Sequence, residues 1–431
     1  MGAVRHGAAG PARSALRTAA ALGAALVLAA CGAVPAAPLA PPLVLPPPGA
    51  LPALGARIAW TAPIAAPEDL SVAPDGSVVA GLSYSPTGGQ SLWAFDAAGG
   101  LVPLGTAPGS AVFALSGGII VIGPGVSDPP GPVSIFSSVG ARLWQGSAVG
   151  PITATGDPSG SRIAVVDNGS GAGREWAVLA GGGLEPLQGG GMPGVAPSTS
   201  VQFDAAGSAL VVGGRTAELL SPSGLRRWTA RLSAAGPSGP VVLDRDGAGV
   251  TAAVSSAGAE LYQFTVTAGG QPDVLWSQPL PSGAAPGLVA APGGRVAAVG
   301  AGGAASLALY RERDGSRIWE DTVSAAAGAA GPPAIGGVAF TAGGGAVLSV
   351  SACDAAGAPC LLLLAPSGAP LGQVPLPAGT EVTLAADGLG AAAAVPPARS
   401  AGPDTLEWLD LEALWARLAP AAAKAAPRAS S

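Results

Sequence analysis

Residues 308–319 read ALYRERDGSRIW: an apolar run, a polar turn carrying Asp314-Gly315, and a second run ending in Trp319. The same half-unit returns as ELLSPSGLRRW at 218–228 and SIFSSVGARLW at 134–144, and its first part as WAFDAAGG at 93–100 and LLLLAPSG at 361–368. Glycine between two apolar runs marks a hairpin, because it adopts positive φ without steric cost. A second kind of glycine turn precedes each half-unit. These first turns read APDGS at 73–77, LSGGI at 115–119, DPSGS at 157–161 and DAAGS at 204–208, then DRDGA at 244–248, APGGR at 291–295, TAGGG at 341–345 and AADGL at 385–389. Seven intervals separate Gly76 from Gly388, so the period is about 45 residues.

Two hairpins per unit make four strands, and four strands in about 45 residues is the size of a β-propeller blade. No such unit can bury both faces of its sheet alone, so the units must stack around a common axis. The expected fold is all-β: a single propeller over 57–419 with eight four-stranded blades, seven with one irregular unit being the alternative. Trp144, Trp228, Trp276 and Trp319 share the last-strand position. In this the chain, over roughly 57–418, resembles the quinoprotein-like (PQQ-type) propeller repeat, whose blades carry a strand, an Asp/Ser-x-Gly turn and a strand with Trp. The ends of the region are complementary. RIAWTA at 57–62 looks like a fourth strand without its first three, and the last unit, LEWLDLEALWARLAP at 406–420, lacks the usual glycine turn. The strand at 57–62 is therefore expected to pair beside 405–410 and close the ring, which removes two open edges. A short helix from Asp410 to Leu418 is expected to stop at Pro420.

The N-terminus carries an export signal. Arg5, Arg13 and Arg17 precede the apolar stretch AAALGAALVLAA at 19–30, which is too short to span a bilayer. Leu28-Ala29-Ala30-Cys31-Gly32 follows and resembles the lipobox of bacterial lipoproteins. That resemblance implies removal of residues 1–30 and a diacylglycerol thioether on Cys31. Gly32 in place of an Asp favours the outer membrane where the organism has one. Residues 32–56 hold Pro35, Pro38, Pro41, Pro42, Pro46, Pro47, Pro48 and Pro52. We expect 31–56 to be a lipidated, semi-rigid polyproline spacer, removable from 32 to 55 with little effect on stability. Residues 420–431 are expected to be a disordered tail.

Composition narrows the chemistry. Loss of residues 1–30 removes His6, the only histidine, and takes the 20 basic residues to 17 against 26 acidic ones, a net charge of −9. Without histidine there is no Ser-His-Asp or Cys-His system and no His-ligated metal. An acidic chain without a basic cluster is a poor nucleic-acid binder. Quinoprotein dehydrogenases add adjacent cysteines and long insertions, which this chain lacks, so no cofactor or metal site is expected. Asp244-Arg245-Asp246-Gly247 could suggest calcium but stops short of the longer ligand pattern, and reads as a strand turn. Asp167-Asn168-Gly169-Ser170 reads as a tight turn, and Arg311, Glu312, Arg313 and Asp314 as a solvated strand end, with a partner-binding rim the alternative. Cys353 and Cys360 flank DAAGAP between two apolar runs, and a hairpin there would bring them within disulfide range in an oxidising compartment.

The functional expectation is a membrane-anchored envelope lipoprotein whose propeller binds an envelope protein without catalysis. In architecture it is similar to the propeller lipoprotein of the outer-membrane β-barrel assembly machine. The alternative is a carboxylate- and metal-dependent hydrolase of lactonase-like propeller type. Acidic residues projecting from first strands into the channel would favour it, and segments such as SVA at 71–73 and LVAA at 288–291 show few.

Overall fold

The glycine turns divide the chain into sheets. The structure is a computed structural model. It describes residues 43–424 apart from 66, 85–89, 105–108, 127, 171, 180–182, 188–199, 205–206, 214–215, 232–237, 244–250, 256–259, 267–271, 280–286, 302–304, 326–331 and 398–401. Each first turn among the described residues falls between the first and second strands of its own antiparallel sheet. In chain order the sheets span 67–96, 111–148, 152–186, 200–231, 238–279, 287–323, 335–375 and 381–410, and are called sheets 1 to 8 below. Sheet 1 has three strands, and sheet 8 takes Arg57–Ile64 as its fourth, antiparallel to Asp404–Asp410 with Arg57 opposite Asp410 and Ile64 opposite Asp404. The first strand of each sheet lies beside that of the next, and Glu381–Leu384 of sheet 8 lies beside Pro67–Val72 of sheet 1.

Burial follows from this stacking. Ile119–Gly123, Ala346–Val350 and Cys360–Leu364 are buried at every residue. Strands covered by a neighbouring sheet on each face read as unbroken apolar runs rather than alternating ones. Within each sheet the turns joining strands 1 to 2 and 3 to 4 share one face, the turn face. The connections from strand 2 to 3 and from one sheet to the next share the other, the loop face.

Two expectations at the ends are corrected. Residues 43–56 are no spacer. Leu43–Leu45 pairs in parallel with Asp321–Val323 as a fifth strand of sheet 6, and Leu45 is fully buried. The chain then crosses sheet 7, where the Gly49 N–H donates to the Cys353 carbonyl at 3.0 Å and the Leu54 N–H to the Gln373 carbonyl at 2.6 Å. Proline does not prevent this, because the pairing uses the N–H groups of the residues between the prolines. At the other end the helix α1 runs Glu412–Lys424 with Pro420 inside it. The residues after Pro420 are Ala421, Ala422 and Ala423, the best helix former, while Leu414, Trp415 and Leu418 pack on the core between sheets 7 and 8. Residues 1–42, with Cys31, and 425–431 lie outside the described residues. Among those described, no helix is long and apolar enough to cross a membrane.

Candidate functional site

The axis, where first strands meet, carries few ionisable groups, and most of its polar side chains are used to join sheets. In Pro67–Val72 the alternating residues Asp69 and Ser71 point toward sheet 2. The Val112 N–H donates to Asp69 Oδ2 at 2.9 Å and the Ala114 N–H to Ser71 Oγ at 2.9 Å. One turn further on, the Gly117 N–H donates to Asp75 Oδ2 at 2.8 Å. From the other side Thr383 Oγ1 donates to the Leu70 carbonyl at 3.3 Å. An inner strand has an edge with no strand beyond it, and these side chains satisfy part of that edge.

Asp69 and Glu381 are the carboxyl pair at the axis. Burial pushes the Asp69 carboxyl up, against the hydrogen bonds from Val112 and Leu70. Glu381, whose side chain reaches solvent, is pushed up first by loss of hydration and then by the Asp69 charge. Among the described residues no group of three or more His, Cys, Asp or Glu is placed to hold a metal ion.

The other candidate turns are structural. Asp167 Oδ2 accepts from the Val149 N–H at 2.9 Å, and Oδ1 accepts from the N–H groups of Gly150 at 3.1 Å and Gly169 at 2.9 Å. Burial would raise this carboxyl, but the hydrogen bonds from Val149, Ser170 and Gly169 outweigh it and hold it below its ordinary range. It ties the connection between sheets 2 and 3 to the turn after it. That approach needs glycine, since a Cβ at Gly169 would lie 2.7 Å from Gly150 Cα. In the charged turn of sheet 6, Arg313 pairs with Asp314 at the surface. Glu312, read as solvated, is buried, because its N–H donates to the Gly294 carbonyl and its own carbonyl accepts from Trp276. Asp244–Gly247 lies outside the described residues.

That contact with Trp276 is one case of a device that recurs. Trp60, Trp276 and Trp319, each on a fourth strand, donate their indole N–H to the carbonyls of Ala97, Glu312 and Pro366. Each acceptor is the second residue of the turn after the third strand of the next sheet, and each indole packs on that turn's positive-φ glycine: Gly99, Gly315 and Gly368. The last-strand Trp therefore holds neighbouring sheets together, and Trp60 does so between sheets 8 and 1. Between sheets 3 and 4 Arg162 takes that role: it is buried, paired with Glu175 at 2.7 Å, and donates to the carbonyls of Gly207 and Ser221. Cys353 and Cys360 form the expected disulfide, with Cα atoms 5.9 Å apart.

No protein-family model and no curated protein matches the chain. Among solved structures it is similar to the Dos1 propeller, with a TM-score of 0.55 and 11% identity over 83% of this chain and 95% of that one. It is similar to Sqt1 of Saccharomyces cerevisiae, with a TM-score of 0.52 and 12% identity over 83% and 99%. BamB of Moraxella catarrhalis matches over 82% and 100% at 17% identity, with a TM-score of 0.42. Likeness at these identities establishes fold alone. The fold is a β-propeller of mostly four-stranded sheets.

Proposed function

We propose that this chain is an exported lipoprotein, cleaved after residue 30 and acylated on Cys31, whose propeller binds another protein of the cell envelope without catalysing a reaction. In this reading the ring has eight blades and Arg57–Ile64 closes it. Support for the blade count comes from the eight sheets, and for closure from the antiparallel pairing of 57–64 with 404–410 and the Trp60 contact to sheet 1. The LAAC sequence at 28–31 supports the anchor, and the outer membrane is its place where the organism has one.

The observation that carries the binding reading is how the carboxylates are used. Asp69, Asp75 and Asp167 each accept backbone N–H groups of a neighbouring sheet or connection, and so serve rigidity. Variation is left to the loops, where partners dock on a rigid scaffold. The Asp69–Glu381 pair favours the second reading, a carboxylate-dependent hydrolase, because raised carboxyl pKa values suit general acid catalysis. A panel of hydrolase and dehydrogenase substrates, with calcium and quinone added in turn, separates the two. The binding reading expects no turnover. Activity that disappears in Asp69→Asn or Glu381→Gln would replace it with the hydrolase. For the anchor, Cys31→Ser should release the protein from the membrane fraction or leave it unprocessed.

A further inference from the structure

Residues 43–56 form a strap over the outer strands of sheets 6 and 7, and part of its seat is the disulfide. Cys353 and Cys360 bracket the loop between the second and third strands of sheet 7. Both lie in one apolar cluster with Leu45 of the strap and Val323 at the end of sheet 6, and Leu51 packs against that cluster. Cys353 is 3% exposed, and Cys360 and Leu45 are fully buried. The Gly49 N–H donates to the Cys353 carbonyl, an approach so close that a Cβ on Gly49 would lie 3.0 Å from that oxygen. Within the loop the Cys353 N–H donates to the Ala358 carbonyl at 2.8 Å, and the Ala358 N–H to Asp354 Oδ1 at 2.9 Å.

Thiol–disulfide exchange begins when a thiolate reaches a sulfur, so a buried disulfide reacts only from an opened state. The elements around this one differ in how firmly they are held. The second and third strands of sheets 6 and 7 pair on both sides, and Trp319 joins the two sheets through the Pro366 carbonyl. Among the described residues, Leu43–Leu45 pairs on one side only. Lifting the strap is therefore the least costly way to open the site. The coupling is reciprocal. A strap that docks on the cross-linked loop docks less well once the cross-link is gone, because hydrogen bonds alone must then order residues 353–360.

We infer that the strap and the Cys353–Cys360 disulfide form a redox-gated latch: a dithiol reaches the disulfide when residues 43–56 lift, and reduction then favours the lifted strap. One thiolate of the dithiol attacks a cysteine sulfur, the Sγ–Sγ bond breaks, and the other cysteine leaves as a thiolate that takes up a proton. The second thiol of the dithiol resolves the mixed disulfide, and its proton passes to the cysteine released. Both cysteines end as thiols, the dithiol ends as a disulfide, and two electrons have passed to the protein. Where Cys31 is acylated, the latch sets the length of the tether. Twelve residue steps separate Cys31 from Leu43 and 26 separate it from Arg57, so lifting raises the greatest reach from about 43 Å to about 94 Å. That consequence alone rests on the lipidation proposed above.

The test uses full-length protein purified from membranes in detergent. Dithiothreitol is added, and new thiols are counted by alkylation and mass. Leu45→Ala and Gly49→Ala should speed reduction at least about tenfold. Val44→Ala, at an exposed position of the strap, and Gly315→Ala, at the junction of sheets 5 and 6, should change it less than about twofold. Equal rates in all variants, or a rate in Gly315→Ala that rises as far as in Leu45→Ala, overturns the latch; the second result would mean that the disulfide is reached by global unfolding. Hydrogen exchange reads the return coupling. Reduction should speed exchange in residues 43–56 at least about tenfold and leave 404–410 protected. Unchanged exchange in 43–56, or equal loss of protection in both segments, overturns the latch. The mass of the N-terminal peptide keeps the two readings apart. Unacylated Cys31 sinks the lipoprotein reading and the tether consequence while the latch stands; acylated Cys31 with equal reduction rates sinks the latch alone.

Discussion

Replacing Leu45 with Ala should cost about 3–4 kcal/mol of stability, although the residue lies in a stretch whose prolines suggest a mere tether. Leu45 is fully buried and sits between sheets 6 and 7, in a cluster that includes Leu307, Leu309, Leu348, Val350 and Leu362. Withdrawing a buried leucine side chain forfeits roughly 2–3 kcal/mol of transfer free energy. The cavity adds to this, because its walls belong to second and third strands, each paired on both sides, and cannot collapse into it. The loss is capped by the free energy of detaching the strap, which is held by the pairing to Asp321–Val323, by Gly49 to Cys353 and by Leu54 to Gln373. Denaturation in guanidinium of the mature chain carrying Cys31→Ser measures the effect. Val44→Ala is the internal control: one residue away and 67% exposed, it should change stability by less than about 0.5 kcal/mol. Equal effects at the two positions would refute the reasoning and return the strap to the status of a spacer.

Three further outcomes follow from the packing. Removing the disulfide by Cys353→Ala with Cys360→Ala should cost about 2.5 kcal/mol, the chain-entropy value for so short a loop; alkylation of both thiols in the native protein without reductant would show the bond is not formed. Gly315→Ala should cost about 2–4 kcal/mol, since φ is +67° and the new Cβ would lie 2.5 Å from the Trp276 ring. Gly357→Ala, at φ +76° with nothing within 4 Å of its Cβ, should cost only the backbone part, about 1–2 kcal/mol, and equal losses would deny the indole its role. Glu381→Gln should stabilise the protein at neutral pH, with the gain fading toward about pH 4. A carboxyl raised in the folded state binds more protons folded than unfolded, so its ionisation lowers stability as pH rises. A variant whose stability tracks the parent's at every pH would remove Glu381 from the axial pair.

Local chemistry was legible in the sequence; long-range pairing was less so. Each glycine turn between apolar runs carries its own conformational signal, so the first turns, the last-strand tryptophans and the strand at 57–62 could be placed without tertiary information. Cys353 and Cys360 were legible for the same reason, lying seven residues apart in one hairpin. The strap was not. Leu43–Leu45 is too short to show a period, stands between Pro42 and Pro46, and pairs with residues near 321. The helix continues past Pro420 because Ala421, Ala422 and Ala423 favour it more than the proline's stop signal opposes it. Asp69 and Ser71 do stand two apart on one face of a strand, a pattern that was visible, but their acceptor role depends on the backbone of another sheet.

The most direct test of the binding account is photocrosslinking in the native cell from a photoreactive residue at Val126 on the loop face, compared with one at Val139 on the turn face. The account predicts one discrete protein adduct from position 126 and none from position 139. A discrete protein adduct from position 139 with none from position 126 would contradict it.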